Sequence, residues 1–104
     1  MNWENPESAR LLEAILALET PNEARRFLRD LMTDGELKEF ARRLKAAEML
    51  TQKVPYSVIE KETGFSSTTV ARVSKWLKGK EGGYKSMISK LHHRNSIQVR
   101  RGLP

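Results

Sequence analysis

The residues of this sequence best suited to chemistry are hydroxyls and cations that follow a glycine at position 64. They share one predicted helix and are Ser67, Thr68, Thr69, Arg72 and Lys75. Hydroxyls beside the free N–H groups of a helix start suit phosphate oxygens, and an arginine can donate two hydrogen bonds to a guanine edge. These residue types therefore favour binding of a nucleic acid over a chemical reaction.

A turn at Gly64 is expected to join that helix to a shorter helix before it. Glycine adopts positive φ without steric cost, which lets the chain reverse direction between two helices. The apolar residues Ile59, Val70 and Val73 have the spacing that packs two helices at a steep angle. The pattern predicts a helix-turn-helix over about residues 56–78. The alternative is an ordinary helical hairpin with a solvated polar face.

Helix-start residues define the bounds of these two helices. Ser57 and Glu60 have the spacing of a capping box, so the first helix is predicted to begin at Ser57 and to end at Thr63. Ser66 is the predicted N-cap of the second helix, which covers about residues 67–78. Glu60 stands where this motif usually has a small residue, so looser packing is expected there.

Four more helices are predicted from capping residues and apolar periodicity. They cover about residues 6–18, 21–31, 34–51 and 84–91. No stretch alternates as a strand does, so the predicted fold class is all-α with six helices. The first two helices carry more apolar surface than a short chain can cover, which favours an intertwined homodimer over a compact monomer.

Composition excludes several classes of protein and site. The 104 residues include no cysteine, which excludes disulfides, thiolate zinc sites and cysteine nucleophiles. No apolar run reaches the length of a membrane span and the first residues lack signal-peptide features, so a cytoplasmic protein is expected. His92 and His93 are adjacent rather than four apart, and Asp30 and Asp34 form no convincing catalytic pair. No metal site, cofactor or enzymatic activity is therefore expected.

The charges are divided unequally along the chain, whose net charge is +6. Residues 1–70 contain ten Lys or Arg and twelve Asp or Glu, whereas residues 71–104 contain nine cations and only Glu81 as an acid. Such asymmetry favours a polyanionic partner over a membrane, since the basic half lacks a large apolar face. We expect a helical DNA-binding domain over residues 1–91 and a basic flexible tail over residues 92–104.

Two features of the sequence occur together in a known family. One is the segment ETGFSSTTVARVSKWL, residues 62–77, and the other is Arg42-Arg43 in a long third helix preceded by Leu31-Met32-Thr33. Over about residues 8–91 this order resembles the tryptophan repressor family, and most closely its YerC/YecD branch. The resemblance implies an intertwined helical dimer whose two recognition helices enter successive major grooves, about 34 Å apart, of a near-palindromic operator.

The motif match also implies which residues contact DNA. The residues expected to read the DNA are Ser66, Ser67, Thr68, Thr69 and Arg72. Tyr56 and Ser57 are expected to contact phosphates. Lys75, on the exposed face of the same helix, is a further expected DNA contact.

The resemblance further implies a possible effector pocket. Arg43 and Arg72 match the two arginines that sandwich the indole of the corepressor tryptophan, and Thr33 matches a contact at the pocket mouth. Two positions depart from the family, because Val73 replaces a glycine and Trp76 replaces a serine. Both changes add volume where free tryptophan would lie. We expect that tryptophan is not used and that Trp76, alone or with Val73, fills the space; alternatively, Trp76 faces solvent or a partner subunit.

Two functions are compatible with these features. The first is a sequence-specific transcription regulator, most simply a repressor that blocks access to DNA. The second is an accessory protein that binds nucleic acids without sequence choice, since basic charge alone gives such affinity.

Overall fold

Six α-helices make up most of the protein in the computed structural model, which describes the backbone of residues 1–102 and the side chains of residues 1–94. They are α1 (Pro6–Leu16), α2 (Pro21–Leu31), α3 (Asp34–Thr51), α4 (Tyr56–Thr63), α5 (Ser67–Leu77) and α6 (Gly83–Gly102). Residues 1–102 contain no strand, so the predicted all-α fold with six helices is confirmed. No helix in this range is long and apolar enough to cross a membrane.

Local capping bonds explain where the first three helices begin. Asn5 accepts a hydrogen bond from a backbone N–H of α1, and the N–H of Glu23 donates to Thr20 Oγ1 over 3.1 Å at the start of α2. At α3 the box closes both ways, with Thr33 N–H to Glu36 Oε1 at 2.9 Å and Glu36 N–H to Thr33 Oγ1 at 3.1 Å. The hydrogen bond from the Thr33 backbone lowers the pKa of Glu36 below its usual value.

The chain divides into two units, residues 1–38 and residues 39–104. The first unit contains α1, α2 and the start of α3. Neither α1 nor α2 buries any residue, and Leu16 is 84% exposed while Ile15 and Leu31 are nearly half exposed. Part of the apolar face of each helix therefore stays exposed in a single chain.

The second unit has a core built around the turn between α4 and α5. Ile59, Val70 and Val73 have no exposed surface, which confirms that these three residues are buried as predicted. Ala46 and Ala47 of α3 are also fully buried in this core. Leu77 and Ile88 complete the cluster of buried residues. Helix α3 thus contributes two small side chains to the same core as α4 and α5.

The turn itself is held by backbone conformation and by one buried hydroxyl. Gly64 has φ +77°, and its N–H donates to the carbonyl of Glu60 over 2.8 Å. The hydroxyl of Thr63 donates to the carbonyl of Ile59 over 2.7 Å and accepts the N–H of Phe65 over 3.2 Å. A buried hydroxyl that is bonded on both sides costs little, and here it closes the end of α4.

The predicted capping box of α4 is wrong. Pro55 occupies the N-cap position and no side chain caps the helix, so Ser57 lies inside the first turn. The carbonyl of Pro55 accepts the N–H groups of Val58 and Ile59 at 3.1 and 3.2 Å, so the helix begins at Tyr56. The extended backbone of Pro55 therefore determines where α4 begins, one residue before the predicted start at Ser57.

The last helix is longer than the sequence predicted. It runs to Gly102 instead of ending near Leu91, because residues 84–101 contain no proline or glycine to stop it. Within it, Ile88 is 4% exposed, whereas the neighbouring Met87 is 52% exposed. That residues 92–104 form a flexible tail stays a prediction, and residues 103 and 104 lie outside the described part of the chain. The end of α1 differs by less, at Leu16 instead of Leu18.

We expect that Gly64→Ala lowers the free energy of unfolding by about 1–2 kcal/mol, because only glycine tolerates left-handed φ without strain. A Cβ at this position would meet no atom within 4 Å, so the loss would come from backbone conformation alone. Urea unfolding at one fixed protein concentration measures the effect.

Gly83→Ala is the matched control for this prediction. Position 83 also has open space but no positive φ, so alanine there should leave stability unchanged or raise it slightly. Equal losses from both substitutions would contradict the assignment of strain to position 64.

Candidate nucleic-acid interface

Helix α5 has one buried side and one exposed side. The buried side carries Val70, Val73, Ser74 and Leu77, which join the core of the second unit. The exposed residues are Ser67, Thr68, Ala71, Arg72, Lys75 and Trp76. The packing of the apolar side against the core therefore determines which side chains α5 presents to a partner.

A hydroxyl pair closes the start of α5, as the sequence predicted for Ser66. The N–H of Thr69 donates to Ser66 Oγ over 3.2 Å, and the two hydroxyl oxygens lie 3.1 Å apart. Ser66 and Thr69 thus satisfy each other, and Thr69 is half-buried. Ser67 and Thr68 are exposed, and among the described side chains their hydroxyls form no hydrogen bond. These two hydroxyls are the ones best placed to meet a ligand.

Arg72 and Lys75 extend the exposed face along the next turns of α5. With Thr68, Ala71 and Trp76 they line a shallow groove of about 460 Å³. Neither cation forms an ion pair with a carboxylate within residues 1–94. Their charges are therefore available to an anionic partner, and an exposed guanidinium is suited to a phosphate or to a guanine edge.

The other predicted contacts lie at the start of α4. Tyr56 and Ser57 are both exposed in its first turn, where the first N–H groups of the helix have no partner within it. This position suits phosphate contacts, as the resemblance implied.

Ala71 was missed by the sequence analysis, which considered only polar side chains on this face. It is exposed and lies one turn after Thr68 and one turn before Lys75. The helical period could have identified it, because residues three and four apart share a face.

Two of the predicted effector residues, Arg43 and Trp76, lie together in the second unit. The guanidinium carbon of Arg43 lies 5.3 Å from the centroid of the Trp76 ring and 5.2 Å from that of Phe40. The carboxylate of Glu39 lies 2.9 Å from the same guanidinium. Trp76 on α5 therefore presents the face of its ring to the guanidinium of Arg43 on α3.

Val73 and Arg72, the other members of the predicted pocket in the second unit, lie on opposite sides of α5. Val73 is fully buried in the core and does not line the shallow groove. Arg72 lies in the shallow groove beside Trp76. Thr33 belongs to the first unit, where it caps α3. Of the two departures from the family pattern, Trp76 faces Arg43 and Val73 lies in the core.

A second and larger groove lies between α3, α5 and α6. It has a volume of about 800 Å³, and its apolar walls include Leu44, Trp76, Tyr84, Met87 and Leu91. Burial raises the pKa of the Tyr84 phenol, and the positive charge of Arg43 partly offsets this rise. The groove is therefore an apolar surface that a single chain leaves open.

Comparisons with known proteins agree with the resemblance noted in the sequence. The model of the Trp repressor protein family matches residues 7–92. The chain is 35% identical over 85 residues to YerC of Bacillus subtilis (strain 168), a match that covers 82% of each protein. A TrpR-like protein from Eubacterium eligens ATCC 27750 superposes with a TM-score of 0.82 at 30% identity, covering 86% of this chain and 93% of that one. A candidate Trp repressor from Staphylococcus aureus gives a TM-score of 0.80 at 32% identity, covering 88% and 95%.

We expect Arg43 and Trp76 to be energetically coupled. In a double-mutant cycle of Arg43→Met and Trp76→Leu, the coupling in the free energy of unfolding should be about 0.5–1 kcal/mol, since both side chains are partly exposed. Lys45→Met is the matched control, because Lys45 is a cation on the same helix that pairs with Glu62 at 3.7 Å. Its cycle with Trp76→Leu should show no coupling. Coupling of equal size in both cycles would contradict a specific stack.

Proposed function

Since this chain belongs to the Trp repressor family, we propose that it is a transcription regulator that recognises a specific sequence of duplex DNA. The proposal rests on the two sides of α5. Val70 and Val73 are buried in the core, whereas Thr68, Arg72 and Lys75 are exposed on the opposite side. A helix of this kind fits the major groove, where hydroxyls meet phosphates and Arg72 can donate to a guanine edge. Its place of action is then the cytoplasm, with DNA as partner.

We further propose that the functional unit is a homodimer. The open apolar faces of α1 and α2 and the apolar groove beside α6 support this, because water-exposed leucines of this extent favour association. Two-fold symmetry presents two copies of α5, so the operator would be a near-palindrome with half-sites about one helical turn apart. Occupying such a site blocks other proteins, which makes repression the simplest outcome.

The protein is proposed to act without free tryptophan. The support is the contact of Trp76 with Arg43, in which an indole of the chain itself lies against the arginine that the family uses for its ligand. Val73 lies in the core and has no part in this arrangement, so the proposal is reduced to Trp76 alone.

A second candidate function is sequence-independent binding of nucleic acid. The nine cations against one acid in residues 71–104 favour it, because phosphate neutralisation gives affinity for any sequence. The two candidates differ in their response to competitor DNA and to salt.

Selection of bound duplexes from a random pool should enrich one near-palindromic sequence. Binding to it should survive excess random DNA and moderate salt, whereas purely electrostatic binding should not. Enrichment of no sequence would favour the second candidate function.

Arg72→Ala should weaken binding to the selected sequence by about 1–3 kcal/mol and relax preference at one position of each half-site. Arg42→Ala, the same change at an exposed arginine of α3, is the control and should keep that preference. Removal of residues 94–104 should weaken binding to all sequences alike and flatten its salt dependence. If the truncation abolished sequence preference and Arg72→Ala did not change it, the roles assigned here would be wrong.

Calorimetric titration with tryptophan should give no binding to the wild-type protein, because Trp76 occupies the face of Arg43. Trp76→Ser removes the indole and restores the residue of the family, so this variant should bind tryptophan measurably. Micromolar binding to the wild-type protein would contradict the proposal.

A further inference from the structure

The exposed side of α5 carries one short apolar side chain among its polar ones. This residue is Ala71, whose neighbours Val70 and Val73 have no exposed surface. An exposed alanine in a surface helix usually needs no explanation, because alanine is a strong helix former. Ala71 differs from such a residue because it lies within the candidate interface, where its methyl group would contact the partner.

Ala71 lies at the centre of the exposed stripe. Thr68 precedes it by one turn, Lys75 follows it by one turn, and Arg72 is adjacent, and all four line the shallow groove with Trp76. Residues three and four apart are neighbours on a helix surface. A partner that lies along the surface of α5 from Thr68 to Lys75 therefore covers the methyl group of Ala71.

The length of the side chains decides what that methyl group meets. Arg72 and Lys75 are long and can reach past the helix surface, whereas the methyl group of Ala71 contacts only what comes closest to the backbone of α5. In a major groove this is the edge of a base pair. The edges present hydrogen-bond donors and acceptors and a single apolar group, the C5-methyl of thymine. If the methyl group of Ala71 covered a hydrogen-bond donor or acceptor of a base, that group would lose its bound water and gain no new hydrogen bond, which is unfavourable.

We infer that Ala71 is a specificity-determining residue whose methyl group selects thymine at one position of each half-site. The inference rests on the proposed function, since it requires α5 in the major groove. It adds an apolar contact to a site otherwise made of hydroxyls and cations.

The experiment uses the full chain and the duplex selected from a random pool. Each thymine of that duplex is replaced in turn by deoxyuridine, which lacks only the methyl group. At one position, the wild-type protein should lose affinity by about fourfold for each half-site. Ala71→Gly should bind the two duplexes equally at that position. The comparison is a ratio within one protein, so lower stability of the variant helix cancels.

Two more variants complete the test. Ala71→Ser keeps the helix and replaces the methyl group with a polar group, so renewed selection should no longer favour thymine at that position. Ala41→Gly removes the same methyl group from an exposed alanine of α3 and should keep the ratio of the wild-type protein.

The outcomes separate this inference from the proposed function. If a sequence is enriched but replacing thymine by deoxyuridine changes the affinities of the wild-type protein and of Ala71→Gly equally at every position, the inference is overturned and the proposed function stands. If no sequence is enriched, both are overturned.

Discussion

The arrangement of the second unit depends on burying apolar side chains on both sides of the turn at Gly64. Ile59 and Val70 lose all contact with water there, and the left-handed backbone of Gly64 lets their helices meet. Removing a side chain of this size from water contributes about 1.5–3 kcal/mol. The same burial sets the rotation of α5 about its axis, because Val70 and Val73 must point inward. Packing therefore determines which side of α5 stays exposed, since the side that faces the core leaves only the opposite side for a partner.

Local signals allowed most helix bounds to be predicted. The bounds of α2 and α3 agree with the prediction because their capping bonds join residues three apart, which the sequence shows directly. The start of α4 was predicted wrongly because the extended backbone of Pro55 outweighed a capping pattern. The predicted end of α6 near Leu91 was too early, because no proline or glycine stops a helix between Tyr84 and Gly102.

The candidate site could be predicted only where its members share a helix. Arg72 and Lys75 follow the helical period, so their common exposure was predictable, and the same period should have included Ala71. Contacts between residues on different helices are harder to predict from the sequence, because they depend on how helices far apart in the chain pack together. Val73 and Trp76 were considered together as pocket-filling residues, yet one is fully buried and the other is 44% exposed beside Arg43. Adjacent turns of one helix can thus serve the core and the surface.

The stack of Trp76 on Arg43 has a practical consequence for spectroscopy. The chain has two tryptophans, and Trp76 is the one on the helix proposed to enter DNA. Indole emission is sensitive to a nearby charge and to contact with solvent, and Trp76 experiences both. With Trp3 replaced by phenylalanine, its fluorescence becomes a label-free reporter of how this helix moves relative to the guanidinium of Arg43.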